Sequence, residues 1–127
     1  MPPIMPISGR CQSRGFAASD GRVYGTAAAR GFDEQHPGDR IEDHAAGAFR
    51  RMEEILAEAG LDRRHVVFVQ IYLHNVDRDI EGFNAVWRDF FKGLSPGRCC
   101  VGASLLMDLL VEMTFIADPD THHQTAS

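Results

Sequence analysis

Residues 65–74, HVVFVQIYLH, constrain this chain more than any other stretch. Their β-branched and aromatic residues predict a strand, and apolar side chains fall on both of its faces. Such a strand has to be covered on both sides. Two amphipathic helices flank it in sequence. In the first, Ile41, Ala45, Phe49, Met52, Leu56 and Ala59 step by 4, 4, 3, 4 and 3 residues, which puts them on one helical face. Asp39 or Asp43 stands where a side chain caps the start. Gly60 is expected to end the helix in the left-handed conformation that a missing Cβ permits. The opposite face carries Glu42, Arg50, Glu53, Glu54 and Glu58 and reads as solvated. The second helix is expected from about residue 79 to residue 92, after a turn and cap at Asn75-Val76-Asp77. Ile80, Phe83, Trp87, Phe90 and Phe91 form its apolar stripe.

The remaining elements are strands. Residues 1–9 read as an irregular arm or the lead into a first strand. A short edge strand over 10–17 and a second strand over 22–28 are joined by the turn signal Ser19-Asp20-Gly21. Residues 32–40, with Pro37 and Gly38, read as a loop. Two more strands, 98–105 and 109–117, are expected to form a hairpin around Met107-Asp108. The polar residues 119–127 read as a flexible tail. The order β-β-α-β-α-β-β predicts one α+β domain over 1–127, with two helices on one face of a mixed sheet. In 127 residues nothing is left to cover the other face, which is apolar in 65–74 and 109–117. Self-association would cover it.

Composition narrows the partners. Lys plus Arg is 13, Asp plus Glu is 18, and the net charge is −5. That sign argues against nucleic acid, whose binders carry a basic stripe. No apolar run approaches the roughly 18 residues that a membrane helix needs. The start, MPPIMPISGR, lacks the pattern of a secretory signal. The cysteines Cys11, Cys99 and Cys100 make no disulfide framework, and reduced thiols in the cytoplasm are expected. No metal-ligand spacing occurs, and no glycine-rich phosphate loop precedes a helix, so neither a metal nor a cofactor is expected.

Glu112 is the most anomalous residue, a carboxylate inside the apolar run LLVEMTFIA. Alternation puts it on one face with Leu110, Thr114 and Ile116, and puts Val111, Met113 and Phe115 on the other. A buried carboxylate needs a donor or a cation, unless the position is a wet edge. Arg98 is the candidate partner. It follows the Ser-Pro-Gly loop, where it either simply opens a strand or presents a five-donor fork to a carboxylate ligand. Cys99 and Cys100 point to opposite faces, so one of them can line a pocket. No histidine spacing supplies the base that a cysteine nucleophile requires. Asn84, on the apolar side of the second helix, is either a surface residue or a fixture that holds the helix end against the pocket.

GFNAVWRDFF, then SPGRCCVGASL, then VEMTFIA resemble the Rid (YjgF-type) family of reactive intermediate deaminases. AEAGLDRRHVVFVQIYL and RVYGT resemble earlier parts of the same family. The resemblance runs over roughly residues 9–118. Its most specific part is Pro96, Arg98, Cys100 and Val101, followed by Val111 and Glu112. It implies a chorismate-mutase-like homotrimer with sites between subunits, acting without a cofactor on a small carboxylate-bearing enamine or imine. Arg98 would clamp the carboxylate and Glu112 would orient the attacking water. The main chain at Cys100 would contact the reacting nitrogen or the water, and Asn84 would support the site. Three departures alter the pocket wall. Cys11 stands at the family's tyrosine position, Tyr24 at its serine, and Leu105-Leu106 at its Leu-Pro. The bulk of Tyr24 points to a specialised substrate. A tautomerase or cyclisation catalyst using the same site, and a non-catalytic keto-acid-binding protein, are the competing readings.

Overall fold

The computed structural model describes residues 2–31 and 34–121. Along the chain it places β1 (Pro3–Pro6), β2 (Ser13–Ala17), β3 (Val23–Ala28), α1 (Ile41–Glu58), β4 (Val66–Leu73), α2 (Val76–Phe91), β5 (Gly97–Gly102) and β6 (Val111–Ala117). The strands form one six-stranded sheet in the order β1-β2-β3-β6-β4-β5. Only the β4–β5 pair is parallel; the other neighbours are antiparallel. Both helices pack on the same face.

The alternation in β6 works as read. Val111, Met113, Phe115 and Ala117 are buried under the helices, while Glu112, Thr114 and Ile116 turn the other way. In β4 a register shift between Val66 and Phe68 lets both Val66 and Val69 face the core, as a bulge does. Helix α1 buries Ile41, Ala45, Phe49, Met52 and Leu56. Phe49 stacks on Phe90 at 4.4 Å and also contacts Phe83, Trp87 and Phe91, so one aromatic cluster locks the two helices together. Gly25 lies beneath the ring of Phe115, where any Cβ would collide with it. Gly60, at φ +73°, sits just past α1 in the left-handed region.

Several expectations are corrected. The arm at 1–9 contains β1, which pairs with β2 and takes its place as the sheet edge. Neither Asp39 nor Asp43 caps α1. The cap position is Arg40, with no side-chain bond, and Asp43 instead joins Glu42 in the first turn, at the positive end of the helix dipole. Helix α2 starts at Val76, because the Asn75 side chain accepts from the backbone N–H of Arg78 and caps it there. The expected hairpin of the last two strands is absent. β5 runs parallel to β4 at the sheet edge, and β6 inserts between β3 and β4. Turn chemistry at Met107-Asp108 suggested a hairpin, but those residues lie in a 3₁₀ turn, Leu106–Asp108, that reverses the chain across the sheet. The expected tail lies, from residue 122 on, outside the described residues.

Candidate functional site

The candidate residues fall into two groups, one on each face of the sheet. Arg98 and Cys100 lie on β5, opposite Val69 and Ile71 of β4. Those two residues face the helices, so Arg98 and Cys100 do too. Arg98 Nη2 donates to Asn84 Oδ1 at 2.8 Å. Its guanidinium carbon lies 4.8 Å from the Trp87 ring centroid and 5.8 Å from that of Phe83. A planar cation stacked on an aromatic face and pinned at one nitrogen keeps its other donors in a fixed direction. Among the described residues no carboxylate pairs with Arg98. The charge of its fork is therefore left without a counter-ion among the described residues. Burial pushes the Cys100 thiol up, the charge of Arg98 opposes that, and Cys99 adds to it. The thiol stays protonated near neutrality, which removes the nucleophile that a thiolate would supply.

Glu112 belongs to the face away from the helices. Its strand neighbours there are Ala28 and Tyr72. The next row is polar: Thr26, Thr114, Gln70 and Cys99. The row beyond is apolar, with Tyr24, Ile116 and Phe68, and Phe16 opposite Tyr24. Phe16, Tyr24, Phe68 and Val101 of this face are exposed at 50%, 46%, 37% and 41%. The face is thus a broad apolar surface with a polar band, and no layer formed by the described residues covers it. Glu112 is half-buried, with no hydrogen-bond or ion-pair partner among the described residues.

Two cavities open on this face. The larger, about 750 Å³, is lined by Cys11, Phe16, Tyr24, Thr26, Phe68 and Thr114 among others. The smaller, about 270 Å³, holds Glu112 together with Thr26, Arg14, Arg30, Glu34 and Arg51. Thr26 and Arg14 line both, so the two spaces adjoin. Glu34 binds Arg51 at 2.5 and 2.7 Å and Arg14 at 3.2 Å. Burial opposes its ionisation, but the hydrogen bond and charge of Arg51, with help from Arg14, hold its carboxyl below the usual range. Arg30 Nη2 donates to the Met107 carbonyl at 2.7 Å. That bond ties the end of β3 to the turn before β6.

The structure thus brings Asn84 to Arg98, with Cys100 beside them on the same strand. It brings Cys11 to Tyr24 in one groove, next to Glu112. It does not bring Arg98 to Glu112. β4 separates their strands, their registers differ by three residues along β4, and their side chains leave the sheet on opposite faces. In the sequence, the stacking platform of Trp87 and Phe83 is visible only as core stripe. The cavity arginines Arg14 and Arg30 do not stand out there at all. An Arg alternating with Phe16 in a strand is the available signal for Arg14. Arg30 has none, because only the chain reversal at 106–108 brings Met107 to it. No cluster of three or more His, Cys, Asp or Glu that could hold a metal occurs among the described residues.

The model of one protein family, described as Endoribonuclease L-PSP, matches residues 18–118. The chain is 30% identical over 122 residues to a RutC family protein of Aquifex aeolicus, covering 91% of this chain and 90% of that one. It is 34% identical over 82 residues to a putative regulator, AldR, of Lactococcus lactis, and spans 64% of that protein's length as of its own. The crystal structure of yeast Mmf1 superposes with a TM-score of 0.80 at 26% identity, covering 91% of this chain and 92% of that one.

Proposed function

Since the chain belongs to the family described as Endoribonuclease L-PSP, that of the Rid (YjgF-type) proteins, we propose that it hydrolyses a carboxylate-bearing imine or enamine to a keto acid and ammonia. Three copies assemble through the open faces of their sheets, in the cytoplasm, and each site lies in a cleft between two of them. The observation that carries this reading is the pair of incomplete half-sites. Among the described residues Arg98 is oriented by Asn84 and Trp87 but has no carboxylate partner, and Glu112 stands without a partner on an apolar face that they leave uncovered. Within one chain the sheet keeps them apart. A second copy seated on the open face supplies to Glu112 what its own chain cannot.

In the assembled site the Arg98 fork binds the substrate carboxylate, which fixes the C=N carbon in place. Glu112 takes a proton from the attacking water as its oxygen bonds to that carbon. Glu112 passes that proton to the nitrogen, giving a carbinolamine. Glu112 then takes the hydroxyl proton and returns it to the amine, and the C–N bond breaks to release ammonia and leave the carbonyl of the keto acid. The main chain at Cys100 contacts the departing nitrogen or the water. Tyr24 and Cys11 shape the wall that admits the side chain of the substrate. Imine hydrolysis is intrinsically easy, so positioning and one proton-handling group suffice. The net charge of −5 weighs against an RNA substrate.

The test is ammonia release from imino acids generated in situ, alongside calorimetric binding of keto acids. Glu112→Gln keeps the shape of the side chain but removes the base. It is expected to lower turnover at least about tenfold, at the cautious end of what a general base contributes, with keto-acid affinity within about twofold of wild type. Unchanged turnover would show Glu112 to be structural. Keto-acid binding without ammonia release would favour a binding protein, and product rearrangement without ammonia a tautomerase.

A further inference from the structure

We propose that the cavity beside Glu112 binds a second carboxylate, so that the preferred substrate of this chain is a dicarboxylic imine or enamine. This rests on the reading of Glu112 as part of the reaction site. The cavity wall carries Arg10, Arg14, Arg30 and Arg51 with Glu34 and Glu112, and the support comes from Arg14, Arg30 and Arg51. Arg14 and Arg51 share the charge of Glu34. Arg30 has no carboxylate among the described residues. Among the described residues its bond is to a neutral carbonyl, that of Met107, and its buried Nε has no acceptor there. Arg30 thus lines the cavity as a cation with no carboxylate of its own among the described residues, and a bound carboxylate would supply the counter-charge. The Met107 bond anchors the Arg30 guanidinium, so the cation does not have to be ordered when a ligand arrives.

Size and sign restrict the ligand. The cavity, about 270 Å³, suits the end of a short acid and is small for a nucleotide. Glu112 and Glu34 also line it, and their charges would repel a phosphate dianion more than a carboxylate monoanion. A carboxylate accepts bidentate hydrogen bonds from guanidinium, and Arg14, which lines both cavities, stands on the path between them. A substrate whose reacting carbon lies near Glu112 can therefore extend its far end toward Arg30, while its first carboxylate is held by Arg98 of a neighbouring copy.

The experiment compares 2-oxoglutarate with 2-oxohexanoate, in which an ethyl group replaces the distal carboxylate, by calorimetry on the assembled protein. Wild type is expected to bind the dicarboxylate at least about tenfold more tightly, or about 1.4 kcal/mol. Arg30→Gln is expected to erase that preference and leave 2-oxohexanoate affinity within about twofold. Arg14→Gln, which leaves the Met107 bond intact, is expected to reduce the preference and serves if Arg30→Gln does not fold. Equal binding of the two acids by wild type would overturn the second carboxylate site and leave the deaminase reading standing. A preference that survives in the variants would also overturn it, since the charge would then be read elsewhere. Failure of both acids to bind would overturn the keto-acid reading itself, and the dicarboxylate substrate with it.

Discussion

The two faces of the sheet are built from the same strands and behave as opposites. On the helix side, Val69, Ile71, Met113 and Phe115 are sealed, and Phe49 joins α1 to α2 through four aromatic neighbours. On the open side, the residues that alternate with them include Phe68, Gln70, Glu112 and Thr114, and Phe68 is still 37% exposed. The sealed face holds the chain in its fold. The open face retains what folding did not use, namely apolar area and the carboxylate of Glu112, which has no partner among the described residues. The packed core and the proposed reaction site are therefore separated by the thickness of one sheet. Arg98 is the exception, since it lies on the helix side but on the edge strand β5, against Trp87 and bonded to Asn84.

That division can be broken from either side. The largest effect is expected in the sealed face. Phe49→Ala removes the ring shared by both helices and should cost about 3–5 kcal/mol, the usual range for a buried aromatic. Its urea midpoint should fall sharply, and a loss under about 1 kcal/mol would show that the cluster repacks. Phe68→Asp places a charge on the open face without touching the sealed one. The chain should fold with little change in its denaturant midpoint, while the dissociation constant of the assembly rises at least about a hundredfold, or about 2.7 kcal/mol. Light scattering would then report the 14.1 kDa monomer; an assembly of unchanged mass would place the interface elsewhere. The smallest effect is expected at Arg98→Lys, which keeps the charge and loses the fork and the stacking. Keto-acid affinity should fall at least about tenfold, or about 1.4 kcal/mol, with folding intact. Wild-type affinity in that variant would show that Arg98 serves only to pack against Trp87.

The residues themselves determined the elements and their faces. The spacing from Ile41 to Leu56 specifies which side of α1 is buried, and alternation through 111–117 separates Glu112 from Met113, because helical and strand periodicities act within a few residues. Glu112 and Arg98 were conspicuous for the same local reason, as charges set in or beside apolar runs. The tertiary structure decided what lies next to what. Both a hairpin and an insertion satisfy the pattern of the last two strands. The choice of β6 between β3 and β4 depends on which pairing buries more of the sheet, a long-range term that no window of sequence contains. The same choice put Arg98 and Glu112 on opposite faces, laid Arg98 against Trp87, and drew Arg14, Arg30, Glu34 and Arg51 from separate segments into one wall. Side chains far apart in the chain meet only when the whole sheet is paired, so the surroundings of Arg98 and Glu112 are a property of the fold, while the two charges themselves stand out in the chain.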